Sequence, residues 1–332
     1  MMDKANSIFF KEESSQKDFQ DTTLRYENIP LSYSWILRKW PIDKQLHYGI
    51  QLDINKNDII NEIKYEIEIK RIQNDQDNNV IFEINRITDI YINEITPDLL
   101  YDKLAHITGS VLYPLSITID SNNEVLSIAN HDEILTRWQS IKNKINQDFE
   151  GELVNDYLLR MESLLKSKDQ ITLALRKNDW FLNIFFKPIY RNYAENIKEE
   201  ENKWHFPILE SLNYYFKLEQ VLNTNYNHFG AIEITHQATL ETDEELSSMT
   251  GQYTGRYVLH PRLRHIIALI GEWSVIEDSN NTIIIAKLFC LPPQGKDIDH
   301  DFIQDYESHN KPILKDETSN HKKVGFWKKL FS

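Results

Sequence analysis

The chain has 332 residues, of which 41% are hydrophobic, so it can form one large domain or two ordinary ones and bury a core. Acidic residues outnumber basic ones by 51 to 37 and give a formal net charge of -14, which argues against general nucleic-acid binding through phosphate neutralisation. Only 9 glycines occur, which argues against Gly-rich nucleotide-binding loops.

The first 44 residues form a polar arm. Its first 20 residues hold no apolar run longer than Ile8–Phe10, so we expect no signal peptide, and the chain holds no apolar stretch long enough to predict a transmembrane segment. The single cysteine, Cys290, cannot form an internal disulfide, and its apolar surroundings predict a small buried hydrophobe rather than a nucleophile. These features predict a cytoplasmic protein that could lie at the membrane surface, and they leave signal-independent export open.

Period-two hydrophobic patterns begin after the arm and predict strands. The first lies at 48–52, and the next two, at 63–69 and 80–84, are interpreted as an antiparallel hairpin. Residues 97–105 predict a short helix or a loop. A second hairpin is predicted around the turn 120–123, because Asn tolerates the positive φ of tight turns.

A helical block follows the second predicted hairpin. Asn130, with Glu133 three residues later, predicts the capped start of an amphipathic helix whose apolar face includes Trp138. Gly151 ends this helix, and a second amphipathic helix continues to Leu165. The two together predict a central helical hairpin.

Beyond the helical hairpin, Asp179 predicts the cap of a short aromatic helix that Pro188 ends. The charged segment 195–203 is interpreted as an exposed seam between two halves. Strand patterns then resume, at 214–219, 231–235, 253–259, 266–275 and 282–289.

These elements predict an α+β fold, in which a central helical hairpin packs on a curved, mostly antiparallel sheet or sheets. We divide the chain into five parts. A polar N-terminal arm covers 1–44, a unit of strands followed by the helical hairpin covers 45–194, and a second set of antiparallel strands in one body with it covers 195–291. A disordered linker covers 292–321, and a basic aromatic docking tail covers 322–332.

The second predicted hairpin and the helix after it resemble part of a known class of bacterial proteins. In Leu112–Asp120 and Glu124–Asn130, a hairpin runs through an Asn directly into an amphipathic helix. Over about residues 46–150 this arrangement resembles bacterial half-barrel proteins similar to lipoprotein carriers. The resemblance implies a cavity for an apolar ligand but transfers no functional residue, and this chain differs from such proteins in that no signal peptide is predicted.

No sequence motif predicts catalysis or cofactor binding: a Gly-x-Ser-x-Gly elbow, a His-Glu-x-x-His helix and a Gly-Lys-Ser/Thr phosphate loop are all absent from the sequence. His260 and His265 flank two arginines without a familiar metal spacing. The acidic run 297–301 lacks the glycine and distal Glu of a calcium loop, and the acids at Glu233 and 241–245 are expected to form a solvated face. We therefore expect no cofactor and no metal, and favour a protein that is not an enzyme.

The last eleven residues differ from the rest of the chain. Lys322–Ser332 contains four lysines and no acidic residue, together with large apolar side chains. Such a terminus fits docking onto an anionic membrane surface or into the groove of a partner protein, with a frayed end as the alternative. The predicted docking residues are Lys322, Lys323, Phe326, Trp327, Lys328, Lys329, Leu330 and Phe331.

Three classes of function remain open. The favoured one is a non-catalytic binding, scaffold or adaptor protein of a low-GC bacterium, which docks through its tail to an unidentified protein partner or to a membrane, and not to nucleic acid. The second is a carrier of a lipid or another apolar ligand in a half-barrel cavity. The third is an enzyme or an exported effector without a local sequence signature, whose active site would assemble from distant residues.

Overall fold

The computed structural model describes residues 28–29, 44–74, 79–97, 100–194, 197–209, 214–227, 229–242, 249–278 and 280–291. The strands within these residues are β1 (Gln45–Lys56), β2 (Ile59–Asn74), β3 (Val80–Arg86), β4 (Tyr91–Ile92), β5 (Leu115–Ile119), β6 (Val125–Ile128), β7 (Lys198–Trp204), β8 (Tyr214–Leu222), β9 (Ile232–Thr242), β10 (Thr250–Leu259), β11 (Ile266–Glu277) and β12 (Asn280–Leu291). The helices are α1 (Leu100–Gly109), α2 (His131–Asp148), α3 (Glu152–Leu165), α4 (Lys168–Asn178) and α5 (Trp180–Phe185), and a 3₁₀ turn covers Ser110–Leu112.

All the strands of the described residues belong to one 12-stranded antiparallel sheet. Its order is β6-β5-β3-β2-β1-β12-β11-β10-β9-β8-β7, and β4 pairs with β2 outside this path. The chain therefore starts near the centre, runs outward to one edge at β6, crosses through the helices to the other edge at β7, and returns strand by strand to the centre. This arrangement confirms the predicted α+β class with a mostly antiparallel sheet.

The central strand β1 shows why the sequence forms a sheet with two different faces. Tyr48 and Ile50 point to the face that the helices cover, and both are buried because they pack into the main core. The alternate positions face the other side, where Asp53 binds the ammonium of Lys287 on β12 at 2.8 Å. One face is therefore apolar and the other holds ion pairs, as the period-two pattern predicts.

The helices pack on the apolar face and complete one continuous core. Leu104, Trp138, Leu158, Leu175 and Phe181, one from each helix, are all buried in the same cluster as the strand residues. An amphipathic helix packs its apolar stripe on the sheet because this contact removes apolar surface of both the helix and the sheet from water.

Two side-chain contacts join α2 and α3, the two helices of the central block. The ring of His131, the first residue of α2, lies 2.8 Å from the carbonyl oxygen of Leu165, the last residue of α3. Further along, Lys142 of α2 forms an ion pair with Glu162 of α3. The start of α2 therefore lies beside the end of α3.

Two segments differ from the sequence-based expectation. The charged segment predicted as an exposed seam, 195–203, supplies all of β7 except Trp204, and β7 pairs with β8 so that Trp204 lies opposite Phe216. Residues 168–178, for which the sequence pattern predicted no element, form α4, whose N-cap Ser167 accepts a hydrogen bond from the N–H of Gln170 at 3.3 Å. In both cases burial against neighbouring elements outweighs a polar local sequence.

The predicted cap of α2 also differs from the structure. The Asn130 side chain makes no capping hydrogen bond to the helix. Instead its oxygen accepts from the N–H of Ser116 at 2.9 Å, and its nitrogen donates to the carbonyl of Pro114 at 2.8 Å. Asn130 therefore fastens the start of the helix to β5.

We predict that Trp138→Ala lowers the free energy of unfolding by about 3–5 kcal/mol, as truncation of a large core aromatic does. The indole is 1% exposed, so the substitution leaves a cavity that α2 and the sheet cannot fill by rotamer changes alone. Urea unfolding followed by circular dichroism measures the loss. Leu159→Ala on α3 is the control, because that side chain is 64% exposed and its truncation should cost little. Equal midpoints for Trp138→Ala and wild type would contradict the assigned face.

Candidate functional site

The chain crosses from one edge of the sheet to the other through α5 and residues 186–193. Asp179 caps α5, as the sequence predicted, by accepting the N–H of Leu182 at 2.8 Å. Burial raises the pKa of this carboxyl to about 6, against the lowering effect of the backbone N–H groups. Phe185 then packs edge-on against Tyr48, with 5.3 Å between the ring centroids, so that α5 lies on the centre of the sheet.

Tyrosine hydroxyls hold this crossing segment in place. Tyr257 on β10 donates to the carbonyl of Ile184 at 2.6 Å, and Tyr190 donates to the carbonyl of Arg264 at 2.9 Å. The carbonyl of Ile184 belongs to a short helix and that of Arg264 to a turn. Without these hydroxyl donors, both oxygens would be buried without a hydrogen-bond partner.

A buried polar network adds a third attachment. Gln220 on β8 donates to the hydroxyl of Tyr193 at 2.9 Å and accepts from the Nε2 of His236 on β9 at 2.8 Å. Burial, and after it the charge of Lys187, lowers the pKa of His236 to about 3. The imidazole is therefore neutral at physiological pH and acts as a fixed donor to Gln220.

Lys187 touches both edges of the sheet. Its carbonyl accepts a hydrogen bond at 2.9 Å from the side-chain nitrogen of Asn123, in the turn between β5 and β6. Its ammonium donates at 3.1 Å to the carbonyl of His205, which directly follows β7. One residue of the crossing segment therefore bonds to both edge regions of the sheet.

The ammonium of Lys187 is enclosed by aromatic rings. The residue is 7% exposed, and its nitrogen lies 5.2 Å from the ring centroid of Trp204 and 4.6 Å from that of Phe206. Such rings stabilise a cation through their quadrupole, although less than water does. Burial lowers the pKa of Lys187 to about 8; Glu124 opposes the shift and Arg176 adds to it.

The contacts of Lys187 with both edge regions form a bridge between the edges of the sheet. A cleft of about 320 Å³ opens beside this bridge, between the two edges. This volume is at the lower end of the range for small-molecule sites, about 300–1,000 Å³. Its walls come from the β5–β6 turn, the crossing segment and β7, and the lining residues are Ser121, Asn122, Glu124, Pro188, Tyr190, Arg191, Lys203 and Trp204.

The docking residues that the sequence predicted lie outside the described residues, so the structure does not bring them to the cleft or to any other site. The acidic run 297–301 and the acids at 243–245 also lie outside the described part of the chain. The docking residues concerned are Lys322, Lys323, Phe326, Trp327, Lys328, Lys329, Leu330 and Phe331.

His260 and His265 form a stacked pair at the turn between β10 and β11, with 5.1 Å between ring centroids. The Nδ1 of His260 accepts the N–H groups of Arg262 at 3.1 Å and Leu263 at 3.0 Å, so this ring closes the turn. Burial first, and then the charge of Lys44, lowers the pKa of His260 to about 3. Within the described ranges, no group of three or more His, Cys, Asp or Glu side chains is placed to hold a metal ion.

Two other residues considered from the sequence, Cys290 and Glu233, make contacts that fit a structural role. Cys290 is buried, and burial raises the pKa of its thiol to about 12, so it packs as a small hydrophobe. Glu233 accepts a hydrogen bond from the side chain of Asn223 at 2.9 Å and lies 3.9 Å from Arg256. Neither residue faces the cleft.

Sequence patterns alone did not reveal the cleft, because its three walls come from separate parts of the chain. Asn122 belongs to a predicted turn, Arg191 follows the predicted aromatic helix, and Trp204 directly follows the segment interpreted as an exposed seam. The one available signal was Lys187, a lone cation that directly follows the aromatic run 180–186.

Comparison with known proteins gives structural likenesses to solved chains. No protein-family model matches the chain. No curated protein matches it either. A solved structure described by its lipid–protein interactions in lipovitellin is similar to 78% of this chain and 26% of that one, with a TM-score of 0.44 and 9% sequence identity. The chain thus spans about a quarter of the lipovitellin chain, and the resemblance of residues 46–150 to half-barrel carriers stays a prediction.

Among the helices of the described residues, none combines the length and the apolar character needed to cross a bilayer.

We predict that Lys187→Met changes how stability depends on pH. The folded-state pKa of Lys187 is about 8, below the ordinary value of 10.5, so between these values the folded protein binds fewer protons than the unfolded chain. Wild-type stability should therefore rise relative to the variant as pH increases from about 7 to about 10, by roughly 2 kcal/mol. Urea unfolding at both pH values measures this difference.

The control for this experiment is Lys217→Met on β8, where the side chain is exposed. Its stability difference from wild type should be the same at both pH values. If the difference for Lys187→Met is also constant, the ammonium is solvated and does not form the buried bridge.

Proposed function

We propose that this protein is a non-catalytic binding protein that attaches through residues 322–332 to an anionic membrane surface or to a groove on a partner protein. The composition of this tail carries the proposal: four lysines, no acidic residue and four large apolar side chains on a chain of net charge -14. The apolar side chains are Phe326, Trp327, Leu330 and Phe331.

The length and composition of the tail suit a segment that becomes ordered when it binds its target. Isolated helices shorter than about 12–15 residues are marginal in water, so we propose that this segment orders when it contacts its target. Aromatic and leucine side chains then supply buried apolar area, and each lysine near an anionic surface adds about 1 kcal/mol. The acidic remainder of the chain is repelled by the same surface, which favours contact through the tail alone.

Packing in the described body supports a binding role more than a carrier role. A carrier of a lipid or another apolar ligand requires space between the helices and the sheet. In the part of the chain that the structure describes, Phe181, Phe185 and Phe186 of the crossing segment pack on one another and on Tyr48 and Phe82 of the sheet. An apolar ligand could enter there only if α5 moved away, so the carrier role is the second proposal.

For the remaining proposal, an enzyme or exported effector, the cleft is the candidate active site. Its lining includes the carboxylate of Glu124, and the amine of Lys187 lies behind one wall. We place it last, because Lys187 is 7% exposed and would need a conformational change to meet a substrate.

We predict that the tail binds anionic vesicles and that the aromatic and basic residues contribute separately. Co-sedimentation with vesicles of phosphatidylcholine and phosphatidylserine would compare wild type, Trp327→Ala and the double variant Lys328→Gln/Lys329→Gln. Loss of two lysines should weaken binding by roughly 30-fold, from about 1 kcal/mol per charge. Raising the salt concentration should weaken wild type in the same direction.

A matched control removes two lysines outside the tail, Lys311→Gln/Lys315→Gln, and should bind like wild type. If a protein groove is the target, vesicles should not bind, and Trp327→Ala should abolish capture of a partner more than either lysine pair does. Equal behaviour of all four proteins in both assays would leave the tail as a frayed end and refute the proposal.

A further inference from the structure

Positive charge surrounds the cleft although the chain as a whole is acidic. Arg191 and Lys203 belong to its lining, where Glu124 is the carboxylate, and Lys187 lies behind the wall that Trp204 forms. The guanidinium of Arg191 lies 4.3 Å from the ring centroid of Tyr193.

The last turn of α4 adds to this positive region. Arg176 and Lys177 lie there, and both influence neighbouring groups. After burial, which is the larger cause, the charge of Arg176 lowers the pKa of Lys187, and the charges of Lys187 and Lys177 lower the pKa of His205. The charge of Arg176 therefore acts at Lys187, and the charge of Lys177 acts at His205.

Lys187 is a buried cation that forms no direct ion pair within the described residues, although the charge of Glu124 favours its protonated form. Within the described residues, its hydrogen-bond acceptor is the carbonyl of His205 at 3.1 Å, and no carboxylate lies within ion-pair distance of its nitrogen. An ammonium has three donors, and a buried charge destabilises a protein unless it is paired. The Nε2 of neighbouring His205 is also buried and has no hydrogen-bond partner. An apolar residue would fill the same space without this penalty.

We infer that the cleft between the sheet edges binds a small molecule bearing an oxyanion, a carboxylate or a phosphate ester, and that Arg191 and the buried Lys187 supply the charge that holds it. This inference does not depend on the tail. Arg191 provides the planar donors that suit a carboxylate or a phosphate, and Ser121 and Asn122 add neutral donors at the opposite wall. Lys187 acts over a longer distance, through a medium that water screens poorly.

The volume and walls of the cleft limit the rest of the ligand. A space of about 320 Å³ holds a small molecule but not a lipid chain with its headgroup. Tyr190 and Trp204 provide aromatic surface beside the charged groups. A compact anion with a flat apolar part therefore fits the cleft, and aromatic oxyanions are suitable probes.

The experiment is isothermal titration calorimetry of the full chain with phenyl phosphate, benzoate and the uncharged benzyl alcohol, at constant low ionic strength and about pH 7. At least one anion should bind about tenfold more tightly than benzyl alcohol, and the comparison of the two anions separates phosphate from carboxylate recognition. Arg191→Gln should weaken binding of that anion about fivefold to tenfold, since a charge-assisted hydrogen bond is lost. Arg191→Lys should recover part of the loss.

Lys187 is tested by its titration as well as by substitution. Wild-type affinity for the anion should fall between about pH 7 and about pH 9, as the amine loses its proton, and Lys187→Met should bind more weakly with a flatter pH profile. Lys217→Gln, at an exposed position of β8, should match wild type at both pH values. Should Lys187→Met fail to fold, the wild-type pH profile and the two Arg191 variants still decide the question. No binding of either anion up to about 10 mM, equal binding of benzyl alcohol, or unchanged affinity in Arg191→Gln would overturn the inference.

Discussion

The pairing of β1 with β12 is the constraint on which the rest of this structure depends. Strands from opposite ends of the described chain form a continuous antiparallel ladder, from His47 opposite Leu291 to Lys56 opposite Thr282. Closing so long a loop costs conformational entropy, although the cost grows only slowly with loop length. The ladder offsets it with backbone hydrogen bonds and with a buried face on which Tyr48 lies opposite Cys290. Because the first and last described strands meet at the centre, the middle of the chain must supply both edges.

The position of the cleft follows from this topology. The helices must connect β6 at one edge to β7 at the other, and their apolar stripes keep that connection on the apolar face of the sheet. Sheet edges carry backbone groups that need partners, and here a crossing residue, Lys187, bonds to a side chain near one edge and to a carbonyl near the other. The lysine carries a desolvation cost, since methionine would fill most of the same space without a buried charge. A buried charge without a direct ion pair breaks a general rule of protein interiors, and such exceptions tend to mark functional sites. We therefore combine Lys187 and the cleft in one hypothesis.

The sequence predicted those elements whose local pattern agrees with their final environment. Strand β2 follows its alternation of apolar and charged residues, and Trp138 and Leu158 are buried on the predicted helix faces. Strand β7 could not be predicted, because it is polar or charged at every position before Trp204 and becomes a strand only by pairing with β8. The cleft could not be predicted either, because the partners of Lys187, Asn123 and His205, lie far from it in the sequence and become its neighbours only in the folded chain. Periodicity reports which face of an element is buried, but not which two elements meet.

Charge connects the two binding elements proposed for this protein. At physiological ionic strength the field of an exposed charge falls off within about 8 Å, so the net charge of -14 does not prevent a local cationic site from attracting an anion. It does oppose the approach of large anionic surfaces to the body, where acidic side chains outnumber basic ones. A small oxyanion can enter the cleft past this barrier because it meets Arg191 in the lining and, behind the wall, the charge of Lys187, whereas a membrane or an acidic protein surface cannot fit between the sheet edges. The tail and the cleft would therefore select anions of different size: extended surfaces at residues 322–332 and single small molecules at the bridge between the edges.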